Sequence, residues 1–217
     1  MRAANSAAGW GWPARLLHWS MAALILAQIG LGVWMVHFTP DLIRRFQLTQ
    51  THKSLGFLVF VLALARLGWR LAGPAGPRMP AGAPAWQARA AAWSHALLYA
   101  LMLVVPLSGW VMAAASPLQD LLGIQNMVFG LFAMPDPWVP GAQSIEDAAR
   151  AVAVAGALAL ALLVALHAAA ALRHHFVDRD DVLVRMIFER RIPAAAVDGD
   201  RNRATNSTGN KVNDGLR

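Results

Sequence analysis

Cysteine is absent from this sequence of 217 residues, and charged residues are scarce. Without cysteine the chain cannot form a disulfide, a thiolate metal site, an iron–sulfur cluster or a covalent C-x-x-C-H haem attachment. Charged side chains make up 14% of the residues and hydrophobic side chains 57%, whereas ordinary soluble domains are about a quarter charged. The composition therefore indicates a membrane protein, in which any metal or cofactor is held by imidazole or oxygen ligands.

Three long runs contain no Asp, Glu, Lys or Arg, which indicates helices that cross a membrane. A crossing helix needs about 20 predominantly apolar residues, and each run is longer than that. A fourth crossing is predicted over residues 51–71, where Lys53 and Arg66 lie close enough to the helix ends to extend into the membrane interfaces. The predicted fold is an all-α membrane protein with a four-helix transmembrane bundle. The uncharged runs are residues 16–40, 90–119 and 151–172.

The distribution of Lys and Arg predicts the orientation of this bundle. Most of them lie in the N-terminal stretch, in the connection after the second crossing and in the C-terminal tail. Since cytoplasmic loops are enriched in Lys and Arg, both termini are predicted to be cytoplasmic, with the helices crossing an inner membrane. The net charge of +7 then reflects topology and contact with membrane lipid, not nucleic-acid binding. The predicted organisation is a cytoplasmic N-terminus at residues 1–13, a four-helix transmembrane domain at 14–190 and a disordered cytoplasmic tail at 191–217.

The connection between the third and fourth crossings, residues 116–147, is long and acidic. It is predicted to form a cap on the outer face of the membrane, with an interfacial helix near residues 118–132. It also contains Trp138. Its acidic residues are Asp120, Asp136, Glu146 and Asp147.

Four histidines fall inside the predicted crossings. His18 and His167 lie at similar depth near the cytoplasmic ends of the first and fourth, and His52 lies near the outer end of the second. Lone helical histidines often hydrogen-bond a neighbouring helix, but ionisable groups within a membrane are candidates for function. Two imidazoles at one depth on two helices suit a noncovalently bound b-type haem, whose iron accepts neutral imidazole. His95 has no partner in this scheme and is interpreted as structural.

Each predicted crossing also contains a characteristic motif. The motifs are RLLHWSMAALIL at residues 15–26, THKSLGF at 51–57 with a following Arg66, SHALLYALMLVVPLSGWVM at 94–112 and LHAAAALRHHFVDRDDVLVRM at 166–186. Together they resemble the bacterial cytochrome b561 family. This family comprises four-helix inner-membrane haem b proteins related to the cytochrome b subunits of nickel hydrogenases, and it includes the superoxide oxidase.

The resemblance implies haem b between the helices, with one haem near the cytoplasmic side and one near the outer side. By similarity, His18 and His167 ligate the first haem and His52 contributes to the second. The family's fourth helix carries two histidines 14 residues apart, but in this chain Ala153 stands 14 residues before His167. Because alanine cannot bind iron, the number of haems, one or two, stays open. The outer site is empty, holds a five-coordinate haem on His52, or recruits another ligand from among His37, Met35 and Met112.

Two further positions take a role through the resemblance. Arg66 lies 14 residues beyond His52 and is expected at the level of the inner haem, where it pairs with a haem propionate or simply extends to the interface. The resemblance also implies a quinone near the cytoplasmic end, with which His174 exchanges a proton. The alternative is that His174 and His175 anchor this end of the helix in the interface.

The resemblance implies a cytochrome that transfers electrons between a donor at the outer face and ubiquinone at the inner leaflet. With superoxide as the donor, the protein is a superoxide:ubiquinone oxidoreductase, and Arg44, Arg45 and Lys53 attract the anion. The alternative is a haem-bearing membrane anchor that passes electrons for a hydrogenase or dehydrogenase docked on the acidic cap. A metal or proton transporter is disfavoured, since the predicted crossings contain no Asp or Glu. The expected partners are membrane lipid, ubiquinone and a redox protein.

Overall fold

The computed structural model describes residues 2–6, 9–77, 80, 84–136 and 141–188. Within these residues four helices are long and apolar enough to cross a membrane, which confirms the predicted four-helix membrane protein. The tail at 191–217 and Trp138 lie outside the described residues. In chain order the elements are α1 (Trp12–His37), α2 (Leu42–Ala72), α3 (Ala85–Ala114), α4 (Pro117–Leu122), β1 (Met127–Val128), β2 (Phe132–Ala133), α5 (Gln143–Phe176) and α6 (Val184–Ile187).

The second crossing begins earlier than the sequence predicted. α2 starts at Leu42 and not near residue 51. The carboxylate of Asp41 accepts a hydrogen bond of 2.6 Å from the backbone N–H of Arg44 and so caps the helix at this point. Arg44 and Arg45 therefore belong to the first turn of α2 and not to a loop.

The predicted interfacial helix over residues 118–132 is wrong in its extent. The helix in this region, α4, ends at Leu122, because Gly123 adopts a left-handed conformation (φ 60°) that stops a helix. β1 and β2 follow as an antiparallel hairpin, and Phe129 and Gly130 form its turn with φ of 49° and 70°. The connection from α3 to α5 is thus a small cap of mixed structure. The paired residues of the hairpin are Met127 with Ala133 and Val128 with Phe132.

The helices pack in a defined order around a small core. α3 packs closely on α5, α1 on α2 and α2 on α3. Gly156 permits the close approach of α5 to α3, because a Cβ atom there would lie 2.8 Å from Cγ2 of Val105. Within the described residues α1 and α5 have hardly any close backbone contact. The space between these two helices is therefore lined by side chains. The core consists of Met21, Ile25, Val59, Ala63, Met102 and Leu160.

Large apolar side chains cover the outside of the bundle. Leu26 on α1 is 60% exposed, and Leu158 and Leu162 on α5 are 69% and 63% exposed. Soluble proteins rarely expose contiguous apolar patches of more than a few hundred Å². This surface therefore faces lipid acyl chains, and the chain is a membrane protein.

Candidate functional site

Three histidines from three helices meet at one end of the bundle. His18 lies near the start of α1, His95 near the start of α3 and His167 near the end of α5. The ring centroids of His18 and His167 are 6.3 Å apart, and those of His95 and His167 are 5.4 Å apart. The structure thus brings the predicted pair together and places His95, interpreted from the sequence as structural, in contact with His167.

The spacing of these rings allows a test of whether they fit a haem iron. A metal-bound imidazole nitrogen lies about 2 Å from the metal, so two imidazoles on opposite sides of one iron have ring centroids about 6 Å apart. The distance of 6.3 Å between His18 and His167 matches this requirement, whereas 5.4 Å between His95 and His167 is shorter. His18 and His167 also lie on α1 and α5, the two helices with hardly any close backbone contact. These two residues fit a haem between them.

Arg66 lies directly against this pair. Its NH2 group donates a hydrogen bond of 2.9 Å to Nδ1 of His18, and its guanidinium lies 5.7 Å from the ring centre of Tyr99. Arg70 lies over the same ring at 5.8 Å. Within the described part of the chain no carboxylate forms an ion pair with Arg66. A guanidinium inside a membrane protein needs an anionic partner, so the site is suited to an acidic group such as a haem propionate.

The contact of His95 with His167 could not be predicted from the sequence, because the two residues lie on different helices. Depth was the available signal, since His95 and His18 both lie within the first three turns of their helices, α3 and α1. The sequence does not tell which face of α3 is turned toward α5. The rotation of α3 about its axis depends on how it packs against α5, which is close at Gly156 and Val105.

At the other end of the bundle, His52 is the histidine that lies between the helices. It faces α1, because a Cβ atom on Gly32 would lie 3.6 Å from Cε1 of His52. Its carbonyl accepts a hydrogen bond of 2.9 Å from Nε2 of Gln28, while its own Nδ1 is buried without a hydrogen-bond partner. No second histidine ring contacts His52 among the described residues. The imidazole of His52 can offer one ligand to a cofactor at this end.

The suggested replacement ligands lie in other settings. His37 is exposed at the last position of α1. The sulfur of Met35 accepts a contact of 3.9 Å from the hydroxyl of Thr49. Met112 and Ala153 are half-buried on α3 and α5. The two ends of the bundle therefore differ: three imidazoles are in contact at one end, whereas among the described residues His52 has no ring contact with another histidine at the other.

His174 lies at the end of α5, beyond the histidine cluster. Its Nδ1 is 2.6 Å from a carboxylate oxygen of Asp180 in the segment that follows the helix. His175 makes a ring contact with Phe176 at 4.8 Å. The sequence motif gave no indication that His174 and Asp180 form a pair.

Two of the three basic residues near the start of α2 form hydrogen bonds within the protein. Arg45 donates two hydrogen bonds, of 3.1 and 2.8 Å, to the carbonyl of Thr39. Lys53 donates a hydrogen bond of 2.8 Å to Oδ1 of Asn126 in the cap. Arg44 is exposed and remains available to an anion in solution.

Two acidic residues of this region, Asp136 and Glu146, are also engaged within the protein. Asp136 accepts hydrogen bonds of 2.8 Å from both Gln119 and Asn126. Glu146 is buried and forms an ion pair with Arg150. These contacts hold the cap in place and reduce the free negative charge that it presents.

Comparisons with known proteins give a consistent result. A family model described as prokaryotic cytochrome b561 matches residues 9–189. The chain is 30% identical over 185 residues to cytochrome b561 homolog 2 of Escherichia coli (strain K12), which covers 78% of this chain and 86% of that protein. It is also 30% identical over 181 residues to cytochrome b561 homolog 1 of the same organism, covering 81% and 94%. The region matched by the family model contains all four crossing helices and every histidine.

Proposed function

Because the chain belongs to the prokaryotic cytochrome b561 family, and is therefore a membrane b-type cytochrome that transfers electrons, we propose a direction and an acceptor for that transfer. Electrons pass from a donor at the outer face of the bacterial inner membrane to ubiquinone at the cytoplasmic side, where both chain termini lie. The observation that carries the proposal is the convergence of His18, His167 and Arg66 at the end of the bundle that we assign to the cytoplasm.

In this proposal His18 and His167 would hold haem b. Haem b bound there supplies a carrier of single electrons, because its iron alternates between two oxidation states. α1 and α5 hold the two imidazoles, and His95 lies beside His167 on the flank of α3. The pair matches the distance that opposite ligands require, which supports His18 over His95 as the partner of His167.

Arg66 has a second part in binding. A guanidinium only donates hydrogen bonds, so Nδ1 of His18 acts as the acceptor and neutral His18 carries its proton on Nε2. Haem held through Nε2 of His18 would require the proton of that imidazole to lie on Nδ1. The guanidinium of Arg66 would then be available to an anionic group of the cofactor, such as a propionate.

We further propose that the inner site is the only one with two histidine ligands. His52 at the outer end has no histidine partner among the described residues, and Ala153 stands at the position from which the family supplies one. With His52 as its one histidine ligand, the iron of a haem at the outer end would be five-coordinate. An open position of this kind suits a small donor that approaches from outside.

Superoxide is the donor that this outer end favours. Arg44 and Arg45 are both exposed there. The guanidinium of Arg45 is hydrogen-bonded to Thr39 and the ammonium of Lys53 to Asn126, so Arg44 is the residue chosen for the test. An exposed positive charge raises the rate at which an anion arrives, and the effect weakens with salt.

The test uses the full chain in lipid vesicles that contain ubiquinone, with superoxide generated outside. Formation of quinol that depends on His167 is the expected result, and the rate falls severalfold at low salt in Arg44→Gln. Arg150→Gln is the matched control, because Arg150 already forms an ion pair with Glu146. Absence of quinol formation by the wild-type protein contradicts the proposed acceptor, and equal rates in the two variants contradict the steering.

A second function, as a membrane anchor for a dehydrogenase or hydrogenase, is favoured by one feature of the cap. Leu121 and Leu131 are each 79% exposed on its surface. Apolar side chains at such positions often mark contact with a protein or with the membrane interface. Stable co-purification of a redox enzyme, lost in Leu121→Glu but not in Leu26→Ala on the lipid-facing side, would favour this second function.

A further inference from the structure

A histidine and an aspartate form a close pair just beyond the end of α5. Nδ1 of His174 lies 2.6 Å from Oδ2 of Asp180, and both side chains are 16% exposed. We propose that Asp180 is a positioning residue: it orients His174, so that Nε2 of His174 delivers a proton to a quinone bound at this end of the bundle. The inference rests on the proposed function, reduction of ubiquinone, and adds the residue that directs the proton.

Three hydrogen bonds fix Asp180 relative to His174. The side chains are joined through Nδ1 and Oδ2, and the backbone N–H of Asp180 donates to the carbonyl of His174 at 3.0 Å. The second carboxylate oxygen, Oδ1, accepts from the backbone N–H of Val182 at 3.0 Å. Arg179 makes the sharp reversal that this requires, with a φ of 51°. A non-glycine residue in the left-handed region is uncommon. Here this conformation of Arg179 brings the carboxylate of Asp180 within hydrogen-bond distance of the imidazole of His174.

The pair lies on the same side of α5 as the histidine cluster. His174 follows His167 by seven residues, which is almost two full turns, so the two residues share one helix face about 10 Å apart along the axis. His167 uses that face to contact His18 and His95. His174 is therefore the next imidazole on the route from the cluster to the end of the helix.

The segment after α5 closes back onto α1 and borders this route. Nε1 of Trp19 donates a hydrogen bond of 3.0 Å to the carbonyl of Met186, and Arg15 donates one of 3.3 Å to the carbonyl of Ile187. The segment that carries Asp180 and α6 is thus attached to the start of α1. Charged groups near the His174–Asp180 pair lie on three segments. They are Arg173, Asp178 and Asp180 at the end of α5, Asp181 and Arg185 at α6, and Arg15 on α1. Asp181 and Arg185 form an ion pair with each other.

The chemistry follows from the hydrogen bond. A carboxylate only accepts, so Nδ1 of His174 carries a proton and Nε2 is free to take a second one from cytoplasmic water. The imidazolium that results keeps its hydrogen bond to the carboxylate of Asp180. Reduction of a quinone to a quinol adds two electrons, which the cytochrome delivers singly, and two protons. One proton leaves Nε2 of His174 to form an O–H bond on the quinone, the other comes from water, and water then restores the proton on Nε2.

Asp178 provides a matched comparison. Its carboxylate is 3.5 Å from Nδ1 of His174, but it is more exposed and lies 3.8 Å from the guanidinium of Arg173. His174, Asp178 and Asp180 each offer one possible metal-ligand atom, and these atoms lie within 4.8 Å of one another. Such a spacing is also compatible with a bound divalent cation. The experiment therefore separates a proton-delivering pair from a cation site.

The experiment uses the full-length haem-loaded protein in lipid nanodiscs. The protein is reduced anaerobically with a stoichiometric amount of dithionite and mixed rapidly with a short-chain ubiquinone, and haem absorbance follows re-oxidation. We expect Asp180→Asn to lower the rate at saturating quinone by about tenfold or more, with the apparent affinity for quinone unchanged. Asp178→Asn should stay within about twofold of wild type, because that carboxylate does not hold His174.

A double variant tests whether Asp180 acts through His174. His174→Gln should be as slow as Asp180→Asn, and the combination should be no slower than His174→Gln alone. Asp180→Glu, which restores a carboxylate, should recover part of the rate. The haem spectrum before mixing verifies each variant, and where Asp180→Asn does not retain haem, Asp180→Glu compared with His174→Gln decides.

Four results would overturn the inference. They are an unchanged rate in Asp180→Asn, an equal loss in Asp178→Asn, a full additional loss in the double variant, and a loss on treatment with EDTA that Zn²⁺ restores. If ubiquinone re-oxidises the wild-type protein and Asp180→Asn at the same rate, the inference about Asp180 fails and the proposed function stands. If ubiquinone does not re-oxidise the wild-type protein, the proposed function fails as well.

Discussion

The guanidinium of Arg66 on α2 donates a hydrogen bond of 2.9 Å to Nδ1 of His18 on α1. The two residues are separated by 48 positions in sequence, and each belongs to a different crossing. No carboxylate forms an ion pair with Arg66 among the described residues. The arrangement therefore leaves a buried positive charge beside the histidine that we propose as a haem ligand, where it favours an anionic partner and a reduced iron.

Replacing Arg66 should weaken the cofactor site. Arg66→Gln removes the positive charge, so we expect a lower haem content after purification and a midpoint potential lower by on the order of 50 mV, about a tenfold change for one electron. Potentiometric titration of the purified protein measures this. Arg70→Gln is the control, because Arg70 contacts the same Tyr99 ring but not His18. A larger fall in potential for Arg70→Gln than for Arg66→Gln would contradict the assignment.

His18 and His95 should respond differently to substitution, although both lie near His167. The separation of 6.3 Å suits opposite ligands and that of 5.4 Å does not, so His18→Ala should lose the low-spin spectrum of a bis-histidine haem and His95→Ala should keep it. Electron paramagnetic resonance of the oxidised proteins distinguishes the two. Loss of the low-spin signal in His95→Ala, with retention in His18→Ala, would exchange the roles of the two residues.

Most of the fold could be predicted from the sequence, because lipid imposes a simple rule. Every crossing must be a long apolar helix, and runs without charged residues reveal such helices directly. The start of α2 was missed because Arg44, Arg45 and Lys53 interrupt the apolar pattern, while the actual start depends on the cap that Asp41 provides. The hairpin after α4 was missed because left-handed residues, not periodicity, determine it.

The site was only partly predictable, for a different physical reason. Depth along each helix follows from counting residues at 1.5 Å per residue, which is how His18, His167 and Arg66 could be grouped. Rotation about the helix axis depends on packing with neighbouring helices, and it brought His95 to His167. The pairing of His174 with Asp180 depends on the turn at Arg179, which no hydropathy pattern encodes.

The contact between α3 and α5 should be sensitive to the size of residue 156. A Cβ atom on Gly156 would lie 2.8 Å from Cγ2 of Val105, so Gly156→Ala should destabilise the protein by about 1–3 kcal/mol. Thermal unfolding in detergent measures the change. Gly109→Ala is the control, because no atom lies within 4 Å of its Cβ position, and alanine favours the helix there.

Relief of the same contact provides the complementary result. In the double variant Gly156→Ala with Val105→Ala, the methyl group that causes the clash is removed, so the penalty for Gly156→Ala should shrink. Equal penalties in the presence and absence of Val105 would mean that this contact does not limit the approach of α5 to α3.

The outer cap should depend on Asn126. Its side chain accepts from Lys53 on α2 and donates to Asp136, each at 2.8 Å, so Asn126→Ala leaves a half-buried ammonium group without its acceptor. We expect a loss of about 1–3 kcal/mol and faster proteolysis of the cap. Gln143→Ala is the comparison, since Gln143 and Asp147 form an exposed pair. Similar proteolysis of both variants would argue against Asn126 as the fastening point.

The central claim is that His18 and His167 hold a single bis-histidine haem. The most direct measurement is the haem-to-protein ratio of the purified chain, taken together with electron paramagnetic resonance of its oxidised form. We predict one low-spin bis-histidine haem per chain, absent in His167→Ala. Any further haem should be five-coordinate on His52. Two low-spin bis-histidine haems per chain, or a low-spin haem that persists in His167→Ala, would contradict the account.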